Sequence, residues 1–462
     1  MRKLLVVFVL LLLAAGGTYV AAGRIAGPQI TVVSPPRFVG TATPLEVDVA
    51  ISRPLLASLT ITFEQDGKQT RLFSLDDASQ AGSLTEIESA RVKVAREIGR
   101  ATVPGLRSGK ARIHVTAGRF VLRGLRAVQS TASHDVEVRL EQPKIAVLST
   151  RHYINLGGSE AVVYRVSPSD AVSGVLVGDT EYPGYPAAGA TIEGVHITDP
   201  AIRVAIFALR YDQALTTPMR LFARDEAGNT GRADFDHRTF PKPSKASRIE
   251  ITDAFLGRVV PSILAGTTEV KPTGSLVDQF VVINGELRRK NAATIAALAK
   301  QTSPEILWRG EVFHPYTNST AESAFADRRT YFYQGREIDK QVHLGFDLAS
   351  YAGTSIVAAN HGKVLYAAEL GIYGNCVIID HGMGLQSLYG HMSIIGVKPG
   401  DIVNKGQEIG KSGMTGLAGG DHLHFTMLVN GQMVNPVEWW DAHWIQDRIL
   451  LKLREASGAA TR

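Results

Sequence analysis

Gly420-Asp421-His422-Leu423-His424-Phe425 puts two histidines one residue apart at the head of a run of strand formers, HLHFTMLV, from His422 to Val429. Side chains alternate faces along a strand, so both imidazoles share one face while Leu423 and Phe425 share the other. An apolar face on a core, backed by two neighbouring imidazoles, is a poor arrangement for packing alone. It suits a metal site, because neutral imidazole is a common zinc ligand. An isolated pair of this kind would read as two partly exposed strand histidines; what decides is whether further ligands exist.

Such ligands stand upstream. Six of the chain's 13 histidines (His343, His361, His381, His391, His422 and His424) fall between residues 343 and 424, in a C-terminal part that reads from about Phe313 as short strands punctuated by glycines, an antiparallel β pattern. In His343-Leu344-Gly345-Phe346-Asp347, an extended backbone aligns His343, Gly345 and Asp347 on one face, and the missing side chain at Gly345 leaves room there for an ion. Two imidazoles and one carboxylate make a three-ligand set with an open fourth position, the catalytic style of zinc site.

Three blocks, HLGFD at 343–347, LYGHM at 388–392 and HLH at 422–424, resemble the signature blocks of the lysostaphin/LytM-type zinc metalloendopeptidases, which cut peptidoglycan peptides. The stretches IDHGMG at 379–384 and VKPGDIV at 397–403, with Gly406-Gln407, resemble the same family's turns and hairpin. The resemblance covers about residues 313–441. It implies one Zn2+ held by His343, Asp347 and His424, with His391 and His422 beside the metal as catalytic groups, the general base being either of them. Peptide hydrolysis needs both a proton acceptor and a donor to the tetrahedral oxyanion, and unligated imidazoles supply both. The family usually carries Ser-x-Phe-Gly-x-Arg before the first ligand; here the stretch is Ser323-Ala324-Phe325-Ala326-Asp327-Arg328, with Ala326 in the glycine's place. His381 and His361 read as structural residues near turns. Asn375 reads as a strand start or a substrate contact.

The N-terminus, MRKLLVVFVLLLLAAGGTYVAAGR, sets Arg2 and Lys3 before an uncharged stretch from Leu4 to Gly23. As a helix this stretch spans roughly 30 Å, the thickness of a bilayer core. Basic residues before the span keep the tip in the cytoplasm and send the body across, so a single-pass anchor in the cytoplasmic membrane is expected, with a cleavable signal peptide as the competing reading.

Composition is that of folded protein, 45% hydrophobic and 20% charged, and 462 residues suffice for several domains. Cys376 is the single cysteine, which excludes an internal disulfide and a thiolate zinc cluster; in the apolar run Asn375–Ile379 it reads as a buried small hydrophobe. The net charge of +5 is a mild excess, and no dense Lys/Arg run with interleaved aromatics points to nucleic acid.

The expected fold is therefore mainly β and multidomain. A cytoplasmic tip and anchor (1–27) precedes two immunoglobulin-like β-sandwich modules (28–141 and 142–241), read from short alternating segments such as Leu45–Val49, Ala111–Val115, Val162–Val166 and Ile202–Ile206. Past the Pro-rich hinge at Pro241–Lys245 comes a partly helical connector (242–312) with an alanine-rich helix near Asn291–Lys300. The peptidase domain (313–441) and a C-terminal helix and tail (442–462) follow, the helix starting at Asn435-Pro436 and running through Trp440, Ile445, Ile449 and Leu453. The function implied is zinc-dependent hydrolysis of peptidoglycan cross-links in the cell envelope, the sandwiches meeting wall or envelope proteins. The alternative is a noncatalytic wall-binding regulator of another hydrolase.

Overall fold

The computed structural model describes residues 2–458 apart from Ser89, Pro315 and Thr317. The chain is mainly β, with an N-terminal apolar helix, and divides into two compact units, Met1–Pro143 with Arg224–Gly231, and Lys144–Ala223 with Arg232–Arg462.

In the first unit the helix Arg2–Ala22 has a mean hydropathy of 2.5 over its most apolar stretch and is long and apolar enough to cross a membrane. After it, two sheets face each other. One holds, side by side, the strands Gln29–Ser34, Ala42–Ala50, Arg91–Gly99 and Leu84–Glu88; the other holds Phe38–Val39, Arg126–Val138, Gly109–Val121, Leu56–Gln65 and Lys68–Ser74. Alternation does the sorting: Leu45, Val47 and Val49 enter the core, whereas Glu46 and Asp48 point out to Lys93 and Arg91.

The second unit begins with another pair of sheets. Lys144–Val147, Ser159–Ser167, Ile202–Ala208 and Tyr185–Pro186 lie in that order in one, and Thr180–Pro183, Val172–Val177, Met219–Arg224 and Thr230–Asp234 in the other. Their core runs without a break into that of the C-terminal β domain, since Val163 and Phe207 share one hydrophobic cluster with Trp308, Phe313, Tyr389 and Trp439.

Beyond the hinge the chain first forms a strand, Ala246–Ile251, that pairs in parallel with Asp327–Tyr333. The helix Asp253–Gly266 then starts at Thr252, whose side chain accepts from the Phe255 N–H, and Leu276–Val282 starts at a Ser275/Asp278 capping box. The expected alanine-rich helix is Arg288–Ala299.

The large sheet behind the signature blocks orders its strands Thr320–Ser323, Phe346–Ala349, Leu423–Val429, Leu385–Met392, Asn375–Gly382, Gly362–Glu369 and Ile402–Val403. Both its faces are covered. Val377, Ile379, Tyr389 and Phe425 face the core shared with the sandwich, while Cys376, Ile378, Leu388 and Leu428 face the connector helices through Leu256, Val260, Phe280 and Leu287. Cys376 is thus a buried apolar group, and burial pushes its thiol pKa up.

The C-terminal helix differs from expectation. A 3-10 turn, Pro436–Trp440, ends at Asp441, which is extended (φ −98°, ψ 114°) and whose side chain accepts from the His443 N–H. Asp441 caps a second start, so the expected single helix is split, and the helical segment proper begins at Ala442 and ends at Ala456.

Candidate active site

Sheet register brings the signature blocks together. Asp347 stands opposite His424, and His424 opposite Gly390, so the strand of the HLH block lies between those of the other two. Phe346 and Leu348 belong to the core on one face, which leaves Asp347 on the other with His424. His343 ends the strand Arg336–His343, paired with Asp327.

Three atoms meet there. His343 Nε2 lies 2.9 Å from Asp347 Oδ1 and 3.0 Å from His424 Nδ1, and His424 Nδ1 lies 3.1 Å from Asp347 Oδ1. The far nitrogen of His343, Nδ1, faces the carbonyl of Ala324 at 3.2 Å. A carbonyl only accepts, so in the neutral imidazole Nδ1 carries the proton and Nε2 presents a lone pair. Two lone-pair atoms, His343 Nε2 and Asp347 Oδ1, then face each other at contact distance in a buried place, an arrangement that calls for a cation between them. The donor set of two imidazoles and one carboxylate fits a divalent transition metal. Burial works to raise the Asp347 pKa, but His343, His422 and His424 around it hold the carboxyl well below its ordinary range. Burial pushes the His424 imidazole down to about 4, against the opposing carboxylate. Both partners thus keep their ligating form.

Gly345 plays a different part from the one its spacing suggests. A Cβ there would lie 2.5 Å from His424 Cε1 and Nε2, so the room beside Gly345 is filled by the imidazole of His424 rather than by an ion. Among the described residues the buried His424 Nε2 finds no hydrogen-bond partner.

His391 and His422 stand beside the three atoms, their rings 4.8 Å apart and that of His391 5.8 Å from His424. Each has Nδ1 against a carbonyl, Thr415 O at 2.8 Å and Gly420 O at 2.9 Å, which fixes the proton on Nδ1 of the neutral ring and leaves Nε2 open. His422 Nε2 reaches Asp347 Oδ1 at 3.4 Å. Burial, with His422 and His424 adding to it, holds the His391 pKa well below its ordinary value. His391 also sits at φ +63°, in the left-handed region that non-glycine residues rarely occupy, at the end of a strand.

Four further residues belong to the site. Arg329 Nη2 donates to Asp347 Oδ2 at 2.8 Å and to Ser323 Oγ at 2.7 Å. Arg328, the arginine of the Ser323–Arg328 stretch, is exposed instead. Alternation in Asp327–Tyr333 is the signal that separates them. The Tyr373 ring lies 5.5 Å from that of His424, tilted by 54°. Arg288, from the connector, lines the same cavity of about 100 Å³ as the five site residues, and no sequence signal pointed to it. The remaining candidates are structural in position. His381 is fully buried, with Nδ1 donating to His361 O and Nε2 2.7 Å from Ser387 Oγ. His361 lies 3.3 Å from Asn404 Oδ1, and Asn375 opens its strand, its N–H donating to Thr415 Oγ1.

Residues 341–436 match Peptidase family M23. The chain is 40% identical over 97 residues to the DD-carboxypeptidase/endopeptidase Mpg of Neisseria meningitidis, covering 21% of this chain and 22% of that protein. It is 29% identical over 182 residues to the peptidoglycan DD-endopeptidase ShyA of Vibrio cholerae, covering 38% and 39% of the two chains. Among solved structures, the catalytic domain of lysostaphin from Staphylococcus simulans is 28% identical, with 27% of this chain and 92% of that one covered, at a TM-score of 0.23. The matched parts thus span well under half of either curated relative. The C-terminal β domain of this chain belongs to peptidase family M23.

Proposed function

We propose that this chain is a zinc-dependent endopeptidase that hydrolyses peptide cross-links of bacterial peptidoglycan. The observation that carries the reading is the meeting of His343 Nε2, Asp347 Oδ1 and His424 Nδ1, each within 3.1 Å of the others. One Zn2+ held by these three would supply Lewis acidity, polarising the scissile carbonyl and acidifying water near neutral pH. His391 and His422 do the proton work. With Nδ1 of each ring committed to a carbonyl, one imidazole, unprotonated on Nε2, accepts a proton there from the attacking water, and the other, as an imidazolium protonated on Nε2 as well, donates from it to the oxyanion. Arg329 holds the carboxylate in place through its second oxygen.

The helix Arg2–Ala22 anchors the chain in the cytoplasmic membrane, and the body works on the wall side of it. The sandwich segments, 28–141 and 142–241, act as immunoglobulin-like modules that position the enzyme on the wall or on envelope proteins. The sheet orders support this topology: counted in chain order, the first, second, fifth and sixth antiparallel strands of each segment form one sheet and the third, fourth, seventh and eighth the other, as in an immunoglobulin-like sandwich with one strand added beside the third. The connector at 242–312 and the peptidase domain at 313–441 follow, with the helix and tail at 442–462.

The test is digestion of purified cell wall by the full chain in detergent, with and without a chelator. Release of peptide fragments that stops on chelation and returns with Zn2+ supports the reading. Wall binding without release by the zinc-loaded protein would instead favour a noncatalytic regulator.

A further inference from the structure

The cleft does not end at the histidines. The cavity around them is lined by Arg288, Arg329, Leu417 and Gly419, and the same four residues line an adjoining groove of about 640 Å³. That groove continues along the connector, where Phe255 and Arg258 join its wall. The reason is topological. The site residues and the helix-packing residues Leu388 and Leu428 lie on the same face of the large sheet, so helices that cover this face must stop beside the site and wall it.

Two guanidinium groups from these helices reach the groove. Arg288 donates from Nε to Asn284 O at 3.0 Å and from Nη2 to Asn284 Oδ1 at 2.6 Å. Asn284 is itself fully buried and donates to Asp339 Oδ2 at 2.8 Å. Arg258 donates from Nη2 to Ala418 O at 2.9 Å, tying the helix Asp253–Gly266 to the loop that precedes the HLH block. Solvated surface arginines would have no need of such tethers. Among the described residues neither Arg258 nor Arg288 pairs with a carboxylate, although both sit half-buried. Glu250 also lines the groove, but Arg248 holds it at 2.6 Å. Asp347 is likewise taken, by Arg329. The groove therefore leads away from the reacting centre with two positioned, uncompensated cations on its connector side.

We propose that Arg288, assisted by Arg258, forms a carboxylate-binding subsite through which the connector selects peptide substrates that carry a free carboxylate near the scissile bond. The guanidinium fork matches a carboxylate in two parallel hydrogen bonds, and a half-buried place makes them worth more than at an open surface. The subsite rests on the peptidase reading above and deepens it by naming the substrate class.

The test uses the full zinc-loaded chain and two synthetic peptides that differ only in a side-arm carboxylate against the corresponding carboxamide. The expected result is a preference for the carboxylate of roughly 10- to 100-fold in kcat/KM, carried mainly by KM, the scale of a charge-assisted hydrogen bond. In Arg288→Gln the ratio between the two peptides falls toward one, with zinc content and melting temperature retained; Arg288→Lys keeps part of it. A wild-type ratio near one, or an undiminished ratio in Arg288→Gln, overturns the subsite. If neither peptide is cut although zinc is bound, the peptidase reading fails, and fluorescence anisotropy of the same labelled peptides still decides. Tighter binding of the carboxylate that is lost in Arg288→Gln upholds the subsite, and equal binding of both peptides overturns it.

Discussion

Arg329 and Asp347 divide one carboxylate between two duties: Nη2 of the arginine holds Oδ2 at 2.8 Å, while Oδ1 is left to the imidazoles, 2.9 Å from His343 Nε2. Ser323 and Asp327 brace the arginine from behind at 2.7 Å and 3.5 Å. Groups that orient a ligand typically contribute 10- to 100-fold to metal affinity. Arg329→Gln is therefore expected to weaken zinc binding by about that factor, and Asp347→Ala to lower zinc and wall digestion together. Competition against a chelating dye measures both. Unchanged affinity in Arg329→Gln would show that the carboxylate needs no such support.

His391 lies outside the three-atom set, with its Nδ1 proton given to Thr415 O. Replacing it with Ala should lower turnover by roughly 10²-fold or more, the usual scale for a proton-transfer or oxyanion group, and leave zinc bound. Alanine at φ +63° bears a backbone strain similar to that of histidine, so the melting temperature reports the lost packing and the lost hydrogen bond to Thr415 O. Near-normal digestion with zinc bound would remove His391 from the chemistry. An inactive variant that had merely unfolded would do the same.

What was legible in the sequence was local. Strand alternation groups His422 with His424 and His343 with Asp347 from spacing alone, and the same period, counted from Asp327, would have singled out Arg329 rather than Arg328. Capping chemistry at Asp441, a good N-cap residue, could have shown the broken C-terminal helix. The rest was not local. Arg288 reaches the site only because the connector helices pack on the sheet through Phe280 and Leu287, and Lys452 meets Glu160 across 292 positions. No periodicity encodes which distant surface an amphipathic helix will cover.

Ala326, where the family usually has glycine, takes φ +65°, and its N–H donates to His343 O at 2.8 Å. The left-handed conformation costs a non-glycine residue about 1–2 kcal/mol, against about 0.5–1 kcal/mol of extra chain entropy lost by glycine. The strain outweighs the entropy. Ala326→Gly is expected to stabilise the folded chain by up to about 1 kcal/mol, read as a rise in melting temperature. A fall would mean that the alanine methyl packs more usefully than the strain it imposes.

Glu438 makes stability depend on pH. It is buried where the C-terminal segment meets the second sandwich, accepting from Asn155 Nδ2 at 2.9 Å, Ser159 N at 2.7 Å and Ser159 Oγ at 3.2 Å. Burial, opposed by these donors and helped by the charge of Glu160, raises its pKa from 4.5 to about 7. The folded carboxyl thus holds its proton more tightly than the unfolded one. Its contribution is complete below pH about 4.5 and is lost as pH rises to about 7, a change on the order of 3 kcal/mol. Glutamine at this position has no proton to lose. The melting temperature of Glu438→Gln relative to the parent is therefore expected to climb between pH 5 and pH 8, and a constant difference across that range would contradict the assignment.

The last expectation concerns a fragment starting at 313 and ending at 441, the proposed limits of the peptidase domain. If upstream segments only covered the cleft, this fragment would fold and digest wall faster than the full chain. The packing argues for the opposite result. The cut removes the strand Ala246–Ile251 that pairs with Asp327–Tyr333, and it strips the helices from Ile378, Leu388 and Leu428. It also deletes Ser159, to which Trp439 Nε1 donates at 3.0 Å, and both members of the buried pair Lys452–Glu160, which meet at 2.6 Å. Exposing one face of the sheet forfeits roughly 1.5–3 kcal/mol for each large apolar side chain returned to water, so a few such residues outweigh the stability of an ordinary domain. The fragment is expected to show no cooperative melting transition and no digestion, whereas the full chain shows both. A fragment that melts cooperatively and outpaces the full chain would mean that the connector and sandwich restrain the site without building it.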